Sequence, residues 1–316
     1  MVKNYTAFPF KRDNSFDVCK ALLIFLVIIG HFFQGSLNAA GASSVTINRL
    51  EYFIYSFHMP AFMFISAWFC YGKEYSFLKY VRNTVVYLCL PLIIWDATIN
   101  VIDYCSGKFN GINSLLTSLW YIKSLILIRL MAYPFINRPN IKSCAFLLLL
   151  GFIFGQYYLL ALLIPSFILG YISNAFSLLS NKYFVVASLT VYFFELFIVH
   201  PSEAISGLAL IRHMDLSYWI NYLNRLILGL SGTISFIAIV RRWVKTNNST
   251  ILNIGKATFG IYIIQAIIVE RLISPAVSSY GNVILYIVLS FISLGVSYLF
   301  VILLKKLISS EYIIGR

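Results

Sequence analysis

Seven ionisable or strongly polar side chains sit inside long apolar stretches: His31, His58, Asp96, Lys123, Glu195, Arg225 and Gln265. Such groups are costly in hydrocarbon unless paired or facing a polar cavity, so each marks a candidate functional position. A helical rise of ~1.5 Å per residue puts His31 ~17 Å beyond Lys20 and the other six ~12–21 Å from the ends of their stretches. The midplane of a hydrocarbon core lies near ~15 Å. Any one of the seven can be a separately satisfied buried group. As a set they point to one shared polar cavity, in which Asp96 and Glu195 balance Lys123 and Arg225 and two histidines remain titratable. Imidazole is the side chain best suited to moving protons near neutral pH.

Lys20 and His31 are eleven positions apart. At ~100° per residue this is ~1100°, within ~20° of whole turns, so both lie on one helix face. A basic residue at the mouth of a span can hold phosphates. The pantetheine arm of coenzyme A is about as long as the ~17 Å between them, which would bring a thioester to the imidazole. A lysine that only marks membrane orientation, beside a packed histidine, accounts for the geometry equally well.

Composition defines the elements that must position these residues. Of 316 residues, 60% are hydrophobic and only 11% charged, and mean hydropathy is +0.84. A typical soluble domain is about 25% charged, so this chain has too little polar surface for an ordinary soluble enzyme. The pattern implies an all-α, polytopic transmembrane bundle. About ten spans are expected: 17–37, 50–71, 84–104, 115–135, 142–157, 159–177, 183–201, 217–240, 251–273 and 282–304. Only Gln156, Tyr157 and Tyr158 separate the fifth from the sixth. With the N-terminus inside, most of the 24 Lys and Arg residues, from Lys3, Lys11 and Arg12 to Lys305, Lys306 and Arg316, fall on the cytoplasmic side. Only Arg49, Lys108, Arg212 and Arg271 fall outside. This asymmetry places both termini in the cytoplasm and accounts for the net charge of +13 without nucleic acid. The chain reads as one domain over 1–316: a polar cytoplasmic N-terminus (1–16), a bundle (17–304) and a cytoplasmic tail (305–316). The longest outer loop, 202–216, is short and of mixed charge. No removable signal peptide is expected. The five cysteines are scattered, without metal-ligand spacing, so neither disulfides nor a metal are expected.

Four segments resemble the membrane acyltransferase-3 family, in family order. Phe16-Asp17-Val18-Cys19-Lys20 and the run ending Gly30-His31 are similar to its first helix, with a basic residue, ten positions and a histidine. Ser56-Phe57-His58-Met59-Pro60-Ala61-Phe62-Met63-Phe64-Ile65-Ser66 resembles its second signature, notably in the branch related to fucose 4-O-acetylases. Leu119-Trp120-Tyr121-Ile122-Lys123-Ser124-Leu125 resembles a third element, and Thr258–Gln265 a late helix. Lys20 stands where many members have arginine, and Ala67 follows Ser66 where glycine is common. Ser124 replaces a common acidic residue and Gln265 a frequent histidine; these two bear on acceptor choice more than on the reaction.

The resemblance implies transfer of an acyl group, usually acetyl from cytoplasmic acetyl-CoA, to a hydroxyl of a surface glycan or its lipid-linked precursor. It makes this a multi-pass protein of the bacterial cytoplasmic membrane. His31 and His58 become the catalytic candidates. Lys20 becomes the partner for coenzyme A phosphates, with Lys123 and Arg129 as further cofactor-binding residues. Asp96, Trp120, Glu195, Arg225 and Gln265 would shape the site. A neutral imidazole can deprotonate a sugar hydroxyl or be transiently acylated, and Lys123 or Arg225 can stabilise the oxyanion. No metal is required. Two other classes compete: a proton-coupled transporter or flippase using the same polar cluster as a relay, and a lipid-linked glycan polymerase. Paired Gly/Pro-broken spans would favour the first and a large outer loop the second; the sequence shows neither.

Overall fold

The computed structural model describes residues 13–39, 44–73, 76–111, 114, 118–154, 160–201, 216–244, 248–307 and 313. Residues 202–215 of the candidate outer loop 202–216, the 156–158 connection, and Lys3, Lys11, Arg12, Lys245 and Arg316 lie outside the described residues. Within them the chain is mainly helical, and each of the ten apolar stretches contains helix among its described residues.

In chain order the elements are α1 (Asn14–Asn38), α2 (Val45–Trp68), α3 (Phe77–Cys105), α4 (Trp120–Asn137), α5 (Ile141–Ile153), α6 (Leu160–Ala175), α7 (Lys182–Val199), α8 (Leu216–Trp243), α9 (Ser249–Lys256), α10 (Thr258–Tyr280) and α11 (Val283–Leu307). Six of these are long and apolar enough to cross a membrane: α1, α3, α7, α8, α10 and α11. The first begins three residues before the expected boundary, because Asp13 caps it by accepting from the Ser15 amide at 3.0 Å. The expected ninth span, 251–273, is two helices meeting at Ala257, with the second continuing to Tyr280.

Helix α2 occupies the centre, packed on α1, α6 and α8. Its contact with α6 is close enough that a Cβ on Gly170 would overlap the Phe64 carbonyl. At Gly255 of α9 a Cβ would overlap the Asp17 carbonyl of α1. Small residues of this kind let helix backbones approach in a membrane bundle. Helix α11 shows the polarity such a bundle needs. Ser290, Ser293 and Ser297 are fully buried against the protein, while Ile284, Val288, Phe291, Ile292, Leu299 and Leu303 face outward. In water that outward apolar stripe would be a liability; against lipid it is the favourable face.

Polar ties gather the ends. Arg241 of α8 reaches Asp13 at 2.9 Å, Phe16 packs on Trp68 with centroids 5.0 Å apart, and Asn174 of α6 donates to the Trp68 carbonyl at 2.8 Å. These join the starting end of α1 to the far ends of α2, α6 and α8. At the opposite end, the Tyr52 hydroxyl donates to the Pro201 carbonyl at 2.8 Å.

Candidate active site

His31 sits on the unbroken helix α1, eleven residues from Lys20. Its Nε2 lies 3.3 Å from Glu270 Oε1. A carboxylate only accepts hydrogen bonds, so it favours the imidazole tautomer with hydrogen on Nε2 and leaves the Nδ1 lone pair as a base. Glu270 is also 3.4 Å from Gln265 Nε2 and 3.3 Å from Arg271 Nη1. Arg271 makes a two-pronged pair with Asp103 of α3 at 2.9 and 3.0 Å, and its Nη1 donates to the Ala266 carbonyl at 2.7 Å. The cluster therefore runs from Asp103 through Arg271 and Glu270 to His31.

A π-turn over Ile268–Ile273 builds this cluster. On a regular α-helix, residues five apart are ~140° out of register. The wider turn brings Gln265 and Glu270 to one side; π-turns of this sort are frequent at functional sites. The basic-residue pattern puts Arg271 at the outer end of the ninth span. It lies there at 15% side-chain exposure between two carboxylates, because the helix extends beyond residue 273 and Asp103 neutralises the guanidinium.

His58, on α2, is 3% exposed. Its Nδ1 is 2.7 Å from the Ile54 carbonyl. A carbonyl cannot donate, so Nδ1 carries the hydrogen and Nε2 is an acceptor. Both His31 and Arg225 are within electrostatic reach of His58. Tyr55 bridges this region to α1: its ring is 4.9 Å from the His58 ring, lies against Gly30, and its hydroxyl donates to Gln34 at 3.2 Å.

Lys123 and Asp96 form an ion pair at 3.1 Å. Ser118 completes it. Its carbonyl accepts from Lys123 Nζ at 2.7 Å, and its hydroxyl donates to Asp96. The fold places Ser118 there through Leu119, a non-glycine residue at φ 47°. This knot fixes the start of α4, sending the next two side chains, Trp120 and Tyr121, to different cavities. One, of about 160 Å³, is lined by Trp120, His58, Tyr55, Pro60, Ser166 and Arg225. The other, of about 220 Å³, is lined by Tyr121, Tyr262, Ser66 and three basic residues, Lys20, Arg129 and Lys256. It opens at the end of the bundle where α1 begins. Lys20 is paired there with Asp17 at 2.7 Å, and the Arg129 Nε has no hydrogen-bond partner. Tyr262 also stacks edge-on with Tyr121 across this cavity, ring centres 5.9 Å apart.

Apart from Glu195, the expected site residues are therefore distributed over the His31 cluster, the Lys123–Asp96 pair and two cavities. Lys20 and Arg129 share the basic cavity, but Lys123 does not line it; Asp96 and Ser118 hold it instead. Glu195 does not balance Arg225. Its Oε2 is buried without a partner, because a π-turn at Glu195–Val199 ends α7 there. Gln265 joins His31 through Glu270. Sequence reasoning missed Glu270, Arg271, Asp103, Tyr55 and Lys256. The adjacent charges at 270–271 inside an apolar run were the available signal, but an α-helical period turns Glu270 away from Gln265. Among the described residues, no group of three or more His, Cys, Asp or Glu side chains is placed to hold a metal ion.

A family model described as an acyltransferase domain matches residues 13–302, nearly the whole chain. The chain belongs to the membrane acyltransferase-3 family. This acyltransferase is similar to Nodulation protein NolL of Mesorhizobium japonicum, 41% identical over 86 residues, or 27% of this chain and 23% of that protein. It is also similar to Nodulation protein NolL of Sinorhizobium fredii, 32% identical over 106 residues, or 33% of this chain and 29% of that protein. The acyltransferase thus matches under a third of the length of these curated relatives. No solved structure matches it.

Proposed function

We propose that this multi-pass membrane acyltransferase moves an acetyl group from cytoplasmic acetyl-CoA to a hydroxyl of a cell-surface glycan or its lipid-linked precursor. The bacterial cytoplasmic membrane is its site, with about ten spans and both termini inside. The observation that carries this reading is the contact of His31 with Glu270 at 3.3 Å, on the same helix as Lys20 at the basic cavity. Phosphates of coenzyme A are held by Lys20, Arg129 and Lys256, and the pantetheine arm runs along α1 towards His31. There, Nδ1 of His31 takes the proton of the acceptor hydroxyl. The hydroxyl oxygen bonds to the thioester carbon, the carbon–sulfur bond breaks, and the proton passes to the departing thiolate. Glu270 holds the imidazole and stabilises its charged form, as an orienting carboxylate does in other acyl transfers.

The test is release of coenzyme A thiol from acetyl-CoA by the purified full-length protein in detergent, together with mass and sugar NMR of surface glycan from cells with and without the gene. Loss of a general base costs about 10²–10⁴ in rate, so His31→Ala should remove thiol release while the protein still purifies as a folded monodisperse species. A well-folded His31→Ala protein with near-normal release would sink the assignment. Absence of thiol release from the unmodified protein, with a glycan unchanged by the gene, would favour a transporter.

A further inference from the structure

The cavity around Arg225 contains a cation that no carboxylate among the described residues neutralises. Arg225 is 8% exposed. Its Nη2 donates to the Tyr55 carbonyl at 3.2 Å, and its guanidinium carbon lies 5.6 Å from the Tyr52 ring centre. Its Nη1 is buried with no hydrogen-bond partner, and no carboxylate pairs with it among the described residues. Lys123 and Arg271 are treated differently: Lys123 has Asp96, and Arg271 has Asp103 and Glu270. Burying a charge without a counter-charge is strongly unfavourable. Its persistence here points to a ligand that supplies the missing anion.

The rest of the cavity wall fits a sugar. Trp120 and Tyr55 offer aromatic surface beside Pro60 and Leu162. His58 contributes Nε2 as an acceptor for a hydroxyl, since its Nδ1 hydrogen is engaged by Ile54. Pro60 has no amide hydrogen, so the Ser56 carbonyl lacks its usual helical donor; Ser56 also lines the cavity. A cation, two acceptors and aromatic faces within about 160 Å³ suit one monosaccharide unit bearing a negative group.

We propose that the Arg225 cavity is the acceptor subsite, and that it takes a sugar carrying an anionic substituent, a carboxylate or a phosphate, which pairs with Arg225. The proposal rests on the acyltransferase reading for the word acceptor, while anionic-sugar binding stands apart from it.

The experiment is equilibrium binding to purified full-length protein in detergent, read by tryptophan fluorescence and by the shift in thermal unfolding. The probes are D-glucuronate, D-glucose 1-phosphate and D-glucose. At least one anionic sugar should bind, and bind more tightly than D-glucose. A hydrogen bond to a charged group is worth roughly 10–150-fold in affinity, so Arg225→Gln should weaken the anionic probe by about that factor and leave D-glucose little changed. Arg225→Lys keeps the charge and should retain part of the preference, which guards against misfolding of the glutamine variant. A glucuronate preference marks a uronic-acid type of acceptor, and a glucose 1-phosphate preference a phosphate-linked one. Binding of neither anion, equal binding of D-glucose, or an anion preference undiminished in a folded Arg225→Gln protein overturns the proposal. Anion binding without thiol release from acetyl-CoA would instead remove the acyltransfer assignment and leave the anion site standing.

Discussion

Glu270 meets three side chains at once, those of His31, Gln265 and Arg271. On the proposed chemistry its charge stabilises the imidazolium formed as the hydroxyl is deprotonated. Glu270→Gln keeps the shape and removes the charge. It should therefore lower kcat by about 10–10³-fold with little change in the KM for acetyl-CoA, because orienting carboxylates act mainly in the transition state. Steady-state thiol release across acetyl-CoA concentrations checks this; an unchanged kcat would make Glu270 only a packing partner. Lys20 should show the opposite split. Lys20→Ala should raise the KM for acetyl-CoA by roughly 10–150-fold, the worth of a charge-assisted contact, and Lys20→Arg should be mild. A topology-only lysine would leave KM alone and alter protein amount.

At the scale of elements, two devices set the geometry. The first is α1 as a ruler between Lys20 and His31. One alanine inserted between residues 24 and 27 should turn His31 by ~100° and move it ~1.5 Å relative to Lys20. Thiol release should then fall below that of either point mutant, in protein that still purifies. The second is the π-turn at Ile268–Ile273. Deleting Ile268 should restore an α-helical period and leave Gln265 and Glu270 four residues apart, only ~40° out of line, so their contact and thiol release should survive in an assembled bundle. The helix contacts themselves are tight at Gly170, whose missing Cβ leaves room for the Phe64 carbonyl. Backbone cannot yield as a flexible side chain does, so Gly170→Ala should destabilise the bundle by about 1–3 kcal/mol, visible as a lower Tm in detergent.

For the whole molecule, the basic residues and the fold imply opposite sides of the membrane for Lys73 and Lys108, exposed residues just beyond the ends of α2 and α3. In a cysteine-free background, Lys108→Cys should react with an impermeant maleimide added to intact cells with a permeabilised outer membrane. Lys73→Cys should react only after the inner membrane is opened. The reverse pattern would invert the bundle and exchange the proposed donor and acceptor sides. With the expected orientation, the Lys20–Arg129–Lys256 cavity faces the cytoplasm, where acetyl-CoA is available, and the Arg225 cavity lies on the outer side of His31.

Much was legible without coordinates. A chain with 11% charge must place apolar side chains against lipid, where backbone groups are satisfied within helices or closed barrels; apolar runs of about 20 residues select helices, so composition and run length together determined the all-helical class. The helical period likewise put Lys20 and His31 on one face. Equal depth made Asp96 and Glu195 the candidate counter-charges for Lys123 and Arg225; which of them meet was decided by the tertiary structure. Asp96 pairs with Lys123 because Leu119 adopts a left-handed conformation that folds Ser118 between them. Glu270 reaches His31 because a π-turn breaks the period by which a sequence is read. Depth along a helix follows from counting residues. Azimuth after an irregular turn, and the neighbour it then faces, depend on how the helices pack.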